Sequence, residues 1–122
     1  MNKFCHETGV GLIPWGPLYS GYLARPVAQS GATVRANDQV KVLSEADKAV
    51  VTRVEEIASK KSWKMSQVAL AWIIQKNTIP IVGFSNLSRL DDAVAVKGKT
   101  LTDEEIKYLE EPYVPKVIQG HS

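Results

Sequence analysis

One cysteine, Cys5, is too few for an intramolecular disulfide framework and fits a reducing compartment. Neither sign of charge dominates: 15 Lys and Arg face 13 Asp and Glu, a formal +2. That balance gives no strong field for nucleic acid or anionic lipid. No apolar run approaches the ~20 residues of a membrane span. The first nine residues, MNKFCHETG, are polar and lack the hydrophobic stretch of a secretory signal. The two histidines, His6 and His121, have no ligand partners at metal spacing, so both read as surface residues and no metal is expected. Together these absences predict a soluble, intracellular chain, cytoplasmic in location. What is present is globular: 44% hydrophobic and 23% charged residues, with a length of 122 that suits one domain.

The pattern along the chain alternates helix and strand. Residues up to Thr8 read as the last turns of a helix, with Gly9 as its cap. Val10 to Trp15, an apolar run interrupted by Pro14, reads as a buried strand. Gly16 to Val42 is rich in Gly, Pro, Ser, Asn and Asp and shows no sustained period, so a long loop is expected. Ser44 with Asp47 forms a capping box that opens a helix carrying Val50, Val54, Ile57 and Ala58 on one side. A second helix follows Trp63, with Ser66 expected as its cap. Its residues Val68 to Ile74 are apolar over much of the girth, which demands cover on more than one side.

Ile79 to Gly83 is a second buried-type strand, expected to start at Pro80 because proline cannot donate to a ladder. Arg89 to Val96 reads as a helix with Leu90, Ala93 and Val94 inward. Thr102 and Glu105 make a capping box for a last helix through Ile106 and Leu109, and Tyr113 to Ser122 reads as irregular. Trp63 and Trp72 are expected in the core, and Cys5 has no activating neighbour and receives no catalytic role. Strands joined by long helical stretches pair in parallel. Two strands, however, do not make a stable sheet with two covered faces. The sequence implies a sheet with more strands than it contains.

Four segments carry a resemblance. VGLIPWGPLYSGYLARP (Val10 to Pro26) resembles the seventh strand and following loop of an aldo-keto reductase. IPIVGFSNLSRLDD (Ile79 to Asp92) resembles that family's eighth strand and the helix after it. MSQVALAWIIQKN is similar to the penultimate barrel helix, and LTDEEIKYLEEPYVP to the end of the aryl-alcohol dehydrogenase-like subgroup. The fold this implies is α/β: part of a (β/α)₈ TIM barrel, with the last two βα units and a carboxy-terminal helix, the barrel not closed. A complete barrel takes ~250 residues. On this reading residues 1–122 are the carboxy-terminal part of an NADP-dependent oxidoreductase domain.

The resemblance implies a site for NADPH. Loops after the last two strands of a barrel often hold phosphate with the help of a helix N-terminus. Gly83 would permit close backbone approach, Ser85 and Asn86 would offer donors, and Arg89 would grip the 2′-phosphate and select NADP over NAD. Asp92, three residues on, would orient the guanidinium or meet the adenine amino group. Trp15 matches the aromatic that stacks on the nicotinamide. Pro17, Leu18, Tyr19, Ser20 and Gly21 match the loop along the pyrophosphate, and Gly16 ahead of them would keep a backbone contact to the cofactor. The chain departs from the family at Gly16, where Ser is usual, at Asn86, where Lys or Thr is common, and at Ala93, where Asn is usual.

The family's Asp, Tyr, Lys and His tetrad lies on earlier strands, and its motifs do not occur here. No catalytic residue is assigned, and Tyr19, Tyr22 and His6 do not inherit the role by type. The expected substrate of the complete enzyme is a small carbonyl or alcohol. Two other readings compete. One is a non-catalytic remnant or interaction fragment that associates through exposed strand edges. The other is a helix-turn-helix with Lys61, Lys64 and Lys76 on phosphates, which the near-neutral charge and the apolar second helix oppose.

Overall fold

The computed structural model describes residues 2–29 and 43–117. Five α-helices lie among them: α1 (Asn2–Thr8), α2 (Glu45–Lys61), α3 (Met65–Gln75), α4 (Leu87–Val94) and α5 (Asp103–Glu110). Two 3₁₀ turns, Tyr19–Ala24 and Val27–Gln29, occupy the described part of the expected long loop. Residues 30–42 of that loop and 118–122 of the tail, with His121, lie outside the described residues. Residues 113–117 have no regular structure, as expected.

The caps explain where the helices begin. Ser44 and Asp47 form the expected capping box: the Asp47 N–H donates to Ser44 Oγ at 3.2 Å and the Ser44 N–H to Asp47 Oδ2 at 3.0 Å. Thr102 and Glu105 repeat it on α5 at 3.2 and 2.9 Å. At the other end of α1, Gly9 has φ +73° and the Val10 N–H donates back to the Cys5 carbonyl at 3.0 Å. This is a Schellman closure, which needs the left-handed residue that glycine supplies. The expected cap at Ser66 is corrected. Helix α3 starts at Met65 with Lys64 as N-cap, because Gln67 Oε1 accepts the Lys64 N–H at 3.1 Å.

Helices α2 and α3 pack side by side, with α5 against α2 and α4 against α3. The core-facing side of α2 is Val51, Val54, Ile57 and Ala58; Val50 is only half-buried. On α3 the consecutive residues Gln67 to Ala71 are all buried, which meets the expectation of cover on more than one side. Trp63 and Trp72 are half-buried and pack on this core. Gln75 fixes the segment after α4: its Nε2 donates to the Leu101 carbonyl at 3.0 Å and its Oε1 accepts the Leu101 N–H at 2.7 Å. Helix α4 runs from Leu87, two residues earlier than expected, and Val94, expected inward, is 62% exposed; the buried residue is Val96.

The two strand-like segments pair in parallel, as expected, but only through single bridges, Leu12 with Thr78 and Trp15 with Ile81. The Ile79 N–H donates to the Leu12 carbonyl at 2.8 Å and the Ile81 N–H to the Pro14 carbonyl at 2.9 Å. Pairing therefore begins at Thr78, before Pro80. The proline is tolerated because donors on one side of a parallel strand alternate, so its N–H-less nitrogen faces the open edge.

The expectation that both segments are buried is also corrected. Side chains alternate between two faces. Val82 packs on the helical core, whereas Ile13, Trp15, Ile79 and Ile81 are 66, 87, 71 and 57% exposed. An apolar run signals burial only when neighbouring strands are present to cover it, and among the described residues there is one partner per segment. The architecture is thus the partial, unclosed barrel of the sequence reading, with a well-packed helical layer behind an uncovered strand pair.

Ion pairs tie the helical layer together. Lys61 bonds Glu105 at 3.1 Å, and Lys76 pairs with Glu110, which also accepts the Trp72 Nε1–H at 2.9 Å. The Lys76 bond holds the Glu110 carboxyl below its ordinary 4.5, with a smaller opposing push from burial. For Glu105, burial pushes upward, but the Thr102 N–H and Lys61 outweigh it and the carboxyl is also held low. Groups titrating lower in the folded state stabilise it above their unfolded value and lose that contribution as pH falls. The midpoint of urea unfolding is therefore expected to stay level from pH 7 to about 5 and to drop below about 4.5. The Lys76→Met chain should drop less over the same interval.

Candidate functional site

The two bridges bring the ends of the strand-like segments together. Trp15 stands opposite Ile81, and the chain then turns at Gly16 on one side and, on the other, runs through Gly83 to a bend at Ser85 and Asn86. Gly16 has φ +64° and opens a turn in which its carbonyl accepts the Tyr19 N–H at 3.0 Å. Pro17 and Leu18 follow, half-buried, and the Leu18 carbonyl accepts the Gly21 N–H at 2.9 Å. Gly21 has φ +92°, so both glycines of this loop are required by backbone conformation. Gly83 is not in the left-handed region; a Cβ built there would meet nothing within 4 Å, so the space before its backbone is open.

Beyond Gly83, Asn86 caps α4, its Oδ1 accepting the Arg89 N–H at 3.0 Å. Arg89 lies in the first turn, exposed, with Nη1 donating to Ser85 Oγ at 3.0 Å. It has no carboxylate partner among the described residues. Arg53, Lys61, Lys64, Lys76 and Lys116 are each paired with a carboxylate, whereas Arg25, Lys60, Lys97, Lys99 and Lys107, like Arg89, have none within 4.0 Å among the described residues. Asp92 does not face Arg89. It bonds Lys64 Nζ at 2.6 Å, and its backbone carbonyl accepts Gln67 Nε2 at 3.1 Å, so it anchors α4 to the start of α3. Trp15 is 87% exposed, a bare aromatic face at the end of its segment.

Arg89, Ser85 and Asn86 thus share one helix start, while Trp15, Gly16, Pro17, Leu18 and Gly21 share the loop on the adjacent segment. A shallow hollow on α5, lined by Ile106 and the charged Asp103, Lys107, Glu110 and Glu111, contains none of these residues. Among the described residues no cluster of three or more His, Cys, Asp or Glu could hold a metal, and no helix is long and apolar enough to cross a membrane. The three lysines of the helix-turn-helix reading are all ion-paired within the chain, and α3 is buried, so that reading has no support. Sequence reasoning missed the Lys64–Asp92 pair, whose members are 28 residues apart, and a cluster of Tyr19, Asp47 and Lys116. The sequence marks Asp47 as a capping residue and Tyr19 as part of the expected pyrophosphate loop, but nothing in it links the two or points to Lys116.

Parallel strand ends with loops leading into a helix N-terminus define the rim of a (β/α)₈ barrel, of which this chain supplies the final two units. Comparison with known proteins agrees. The aldo/keto reductase family profile matches residues 1–113, and the chain belongs to that family. It is 50% identical over 127 aligned residues to an aldo-keto reductase of Fusarium vanettenii, covering all of this chain and 34% of that protein. It is 49% identical to the versiconal hemiacetal acetate reductase of Aspergillus parasiticus, covering 97% and 36%. A putative aryl-alcohol dehydrogenase of Schizosaccharomyces pombe is 44% identical, covering 98% and 35%. A thermostable aldo-keto reductase solved with the inhibitor epalrestat superposes with a TM-score of 0.67 at 24% identity, over 92% of this chain and 33% of that one, a likeness of fold. The chain spans about a third of the length of the curated relatives it matches.

The cap at Asn86 holds the geometry of this helix start. Asn86→Ala should lower the stability of the chain by about 0.5–2 kcal/mol, read as a reduced urea midpoint, with the loss of helical signal confined to α4. An unchanged midpoint would show that α4 is already frayed at that end.

Proposed function

We propose that this chain carries the cofactor half-site of an NADPH-dependent carbonyl reductase or alcohol dehydrogenase. The observation that carries the reading is Arg89: an exposed cation in the first turn of α4, bonded to Ser85 Oγ and without a carboxylate partner among the described residues, on the helix that follows the segment bridged to Trp15. An anion is favoured at such a place by the helix dipole, the free amides of the first turn and a guanidinium fork. The residues present therefore fit a phosphorylated dinucleotide. Arg89 with Ser85 and Asn86 would hold the 2′-phosphate, and Gly83 would let the backbone approach it. Asp92, committed to Lys64, would act by fixing α4 and could meet the adenine amino group with its remaining oxygen. Trp15 would stack on the nicotinamide, with Gly16, Pro17, Leu18 and Gly21 along the pyrophosphate.

When bound, the cofactor supplies a hydride at its nicotinamide. This chain's own residues bind and orient; none is proposed to hold or deliver the proton that carbonyl reduction also requires. The 122 residues alone are proposed to be inactive, with catalysis depending on a tetrad carried by residues outside this sequence. A cytoplasmic location fits the single buried thiol.

Titration of the chain with NADPH, followed by tryptophan fluorescence, tests the reading. NADPH should quench Trp15 emission, and Arg89→Ala should weaken binding about tenfold or more while leaving the weaker response to NADH unchanged. A folded chain that gives no response to NADPH would sink it. A second reading, association through the open strand edges, is favoured by the exposed face of Ile13, Trp15, Ile79 and Ile81. It predicts a sedimentation coefficient that rises with concentration; a constant monomer value would exclude it.

A further inference from the structure

Tyr19, Ser20 and Gly21 follow one another in the left-handed region, with φ of 49°, 56° and 92°. Glycine adopts this conformation freely, but tyrosine and serine do so only where their surroundings over-determine it. Three holdfasts are present. The Leu18 carbonyl accepts both the Gly21 and Leu23 N–H groups, at 2.9 and 3.3 Å. The Tyr19 ring lies 5.7 Å from that of Tyr22, which is buried with Leu43 just ahead of α2.

The third holdfast comes from the far end of the chain. Lys116 Nζ donates to the Tyr19 hydroxyl oxygen at 3.2 Å, stands 5.2 Å from the centre of its ring, and pairs with Asp47 in the first turn of α2. Asp47 is itself held by the Ser44 N–H at 3.0 Å and hydroxyl at 2.8 Å, and its side chain is only 17% exposed. One ammonium group thus joins the loop after Trp15, the start of α2 and the carboxy-terminal segment. Among the described residues its polar partners are Tyr19 and Asp47, neither of them on α4.

We infer that Lys116 is a positioning residue for the Gly16–Gly21 loop: it fastens the left-handed turn at Tyr19 to the capped end of α2, so that the loop is held in one shape before any dinucleotide meets it. The consequence for cofactor affinity rests on the function proposed above; the fastening of the loop does not. A loop held in its binding shape costs less to order on binding, so releasing it weakens affinity without removing a contact to the ligand.

Amide hydrogen exchange on the full 122-residue chain, together with NADPH titration, tests this. In Lys116→Met, exchange at Gly21 and Leu23 should accelerate about three- to fivefold, the scale of a partly exposed ion pair, while amides in the middle of α3 keep their wild-type rates. Tyr19→Phe should give a smaller acceleration at the same two amides, and Lys116→Arg should restore the slow exchange. The NADPH dissociation constant should rise in proportion in Lys116→Met. Unchanged exchange at Gly21 and Leu23 in both variants would overturn the inference, as would acceleration spread evenly over all helices. Faster loop exchange with unaltered NADPH affinity would overturn its link to the cofactor. Faster loop exchange in a chain whose unaltered form ignores NADPH would uphold the fastening and remove the cofactor reading instead.

Discussion

Two backbone hydrogen bonds, from Ile79 to Leu12 and from Ile81 to Pro14, decide where everything else in the candidate site lies. They set the register of the two strand-like segments, and that register puts the turn at Gly16 beside the residues that lead through Gly83 into α4. A slip by one residue would exchange the two faces of the second segment. Val82 would leave the helical core, and Ile81 would have to enter it. The helical layer enforces the register from behind, since α3 leads directly through Asn77, in a left-handed conformation, into Thr78. The sequence thus uses one well-packed helix to aim a strand that has little support of its own.

Charge in this molecule is mostly internal. Lysines that suggest a nucleic-acid surface when read one by one are paired: Lys61 with Glu105, Lys64 with Asp92, Lys76 with Glu110. Each exposed pair contributes little to stability alone. Their distribution is what matters, since they join α2 to α5 and α3 to both α4 and α5. Arg89 is not part of this set; its guanidinium is bonded to the Ser85 hydroxyl. Its place in the first turn of α4, where backbone amides point outward, is what the proposed anion site rests on.

The helix starts were legible because their signals are local. Ser44 with Asp47 and Thr102 with Glu105 are contained in four residues, and the structure follows both boxes. The start of α3 was misjudged because a serine draws the eye as a cap, whereas the amide of Gln67, acting backwards on Lys64, does the capping. The parallel pairing was legible from the order of elements. The burial of Ile13, Trp15, Ile79 and Ile81 was not, because hydropathy reports what a segment needs and not what is present to cover it. Asp92 looked like a partner for Arg89 by helical spacing, but Lys64, distant in sequence, competes for it. Lys116 carried no signal at all, since a lysine in an irregular tail acquires meaning only from what folds against it.

The uneven support of the two layers has a consequence for ligand capture. The helical layer encloses a core of Val51, Val54, Ile57, Val68, Leu70 and Leu109, while the strand ends are joined by two bridges and bare to solvent. Parting the strand ends therefore takes less free energy than unfolding the helices, so the cradle opens by sub-global fluctuation inside an otherwise folded chain. Apparent affinity then scales with the fraction of molecules whose cradle is assembled. On the proposed function, a neighbouring strand added at either edge of this pair would tighten binding without touching a single liganding atom.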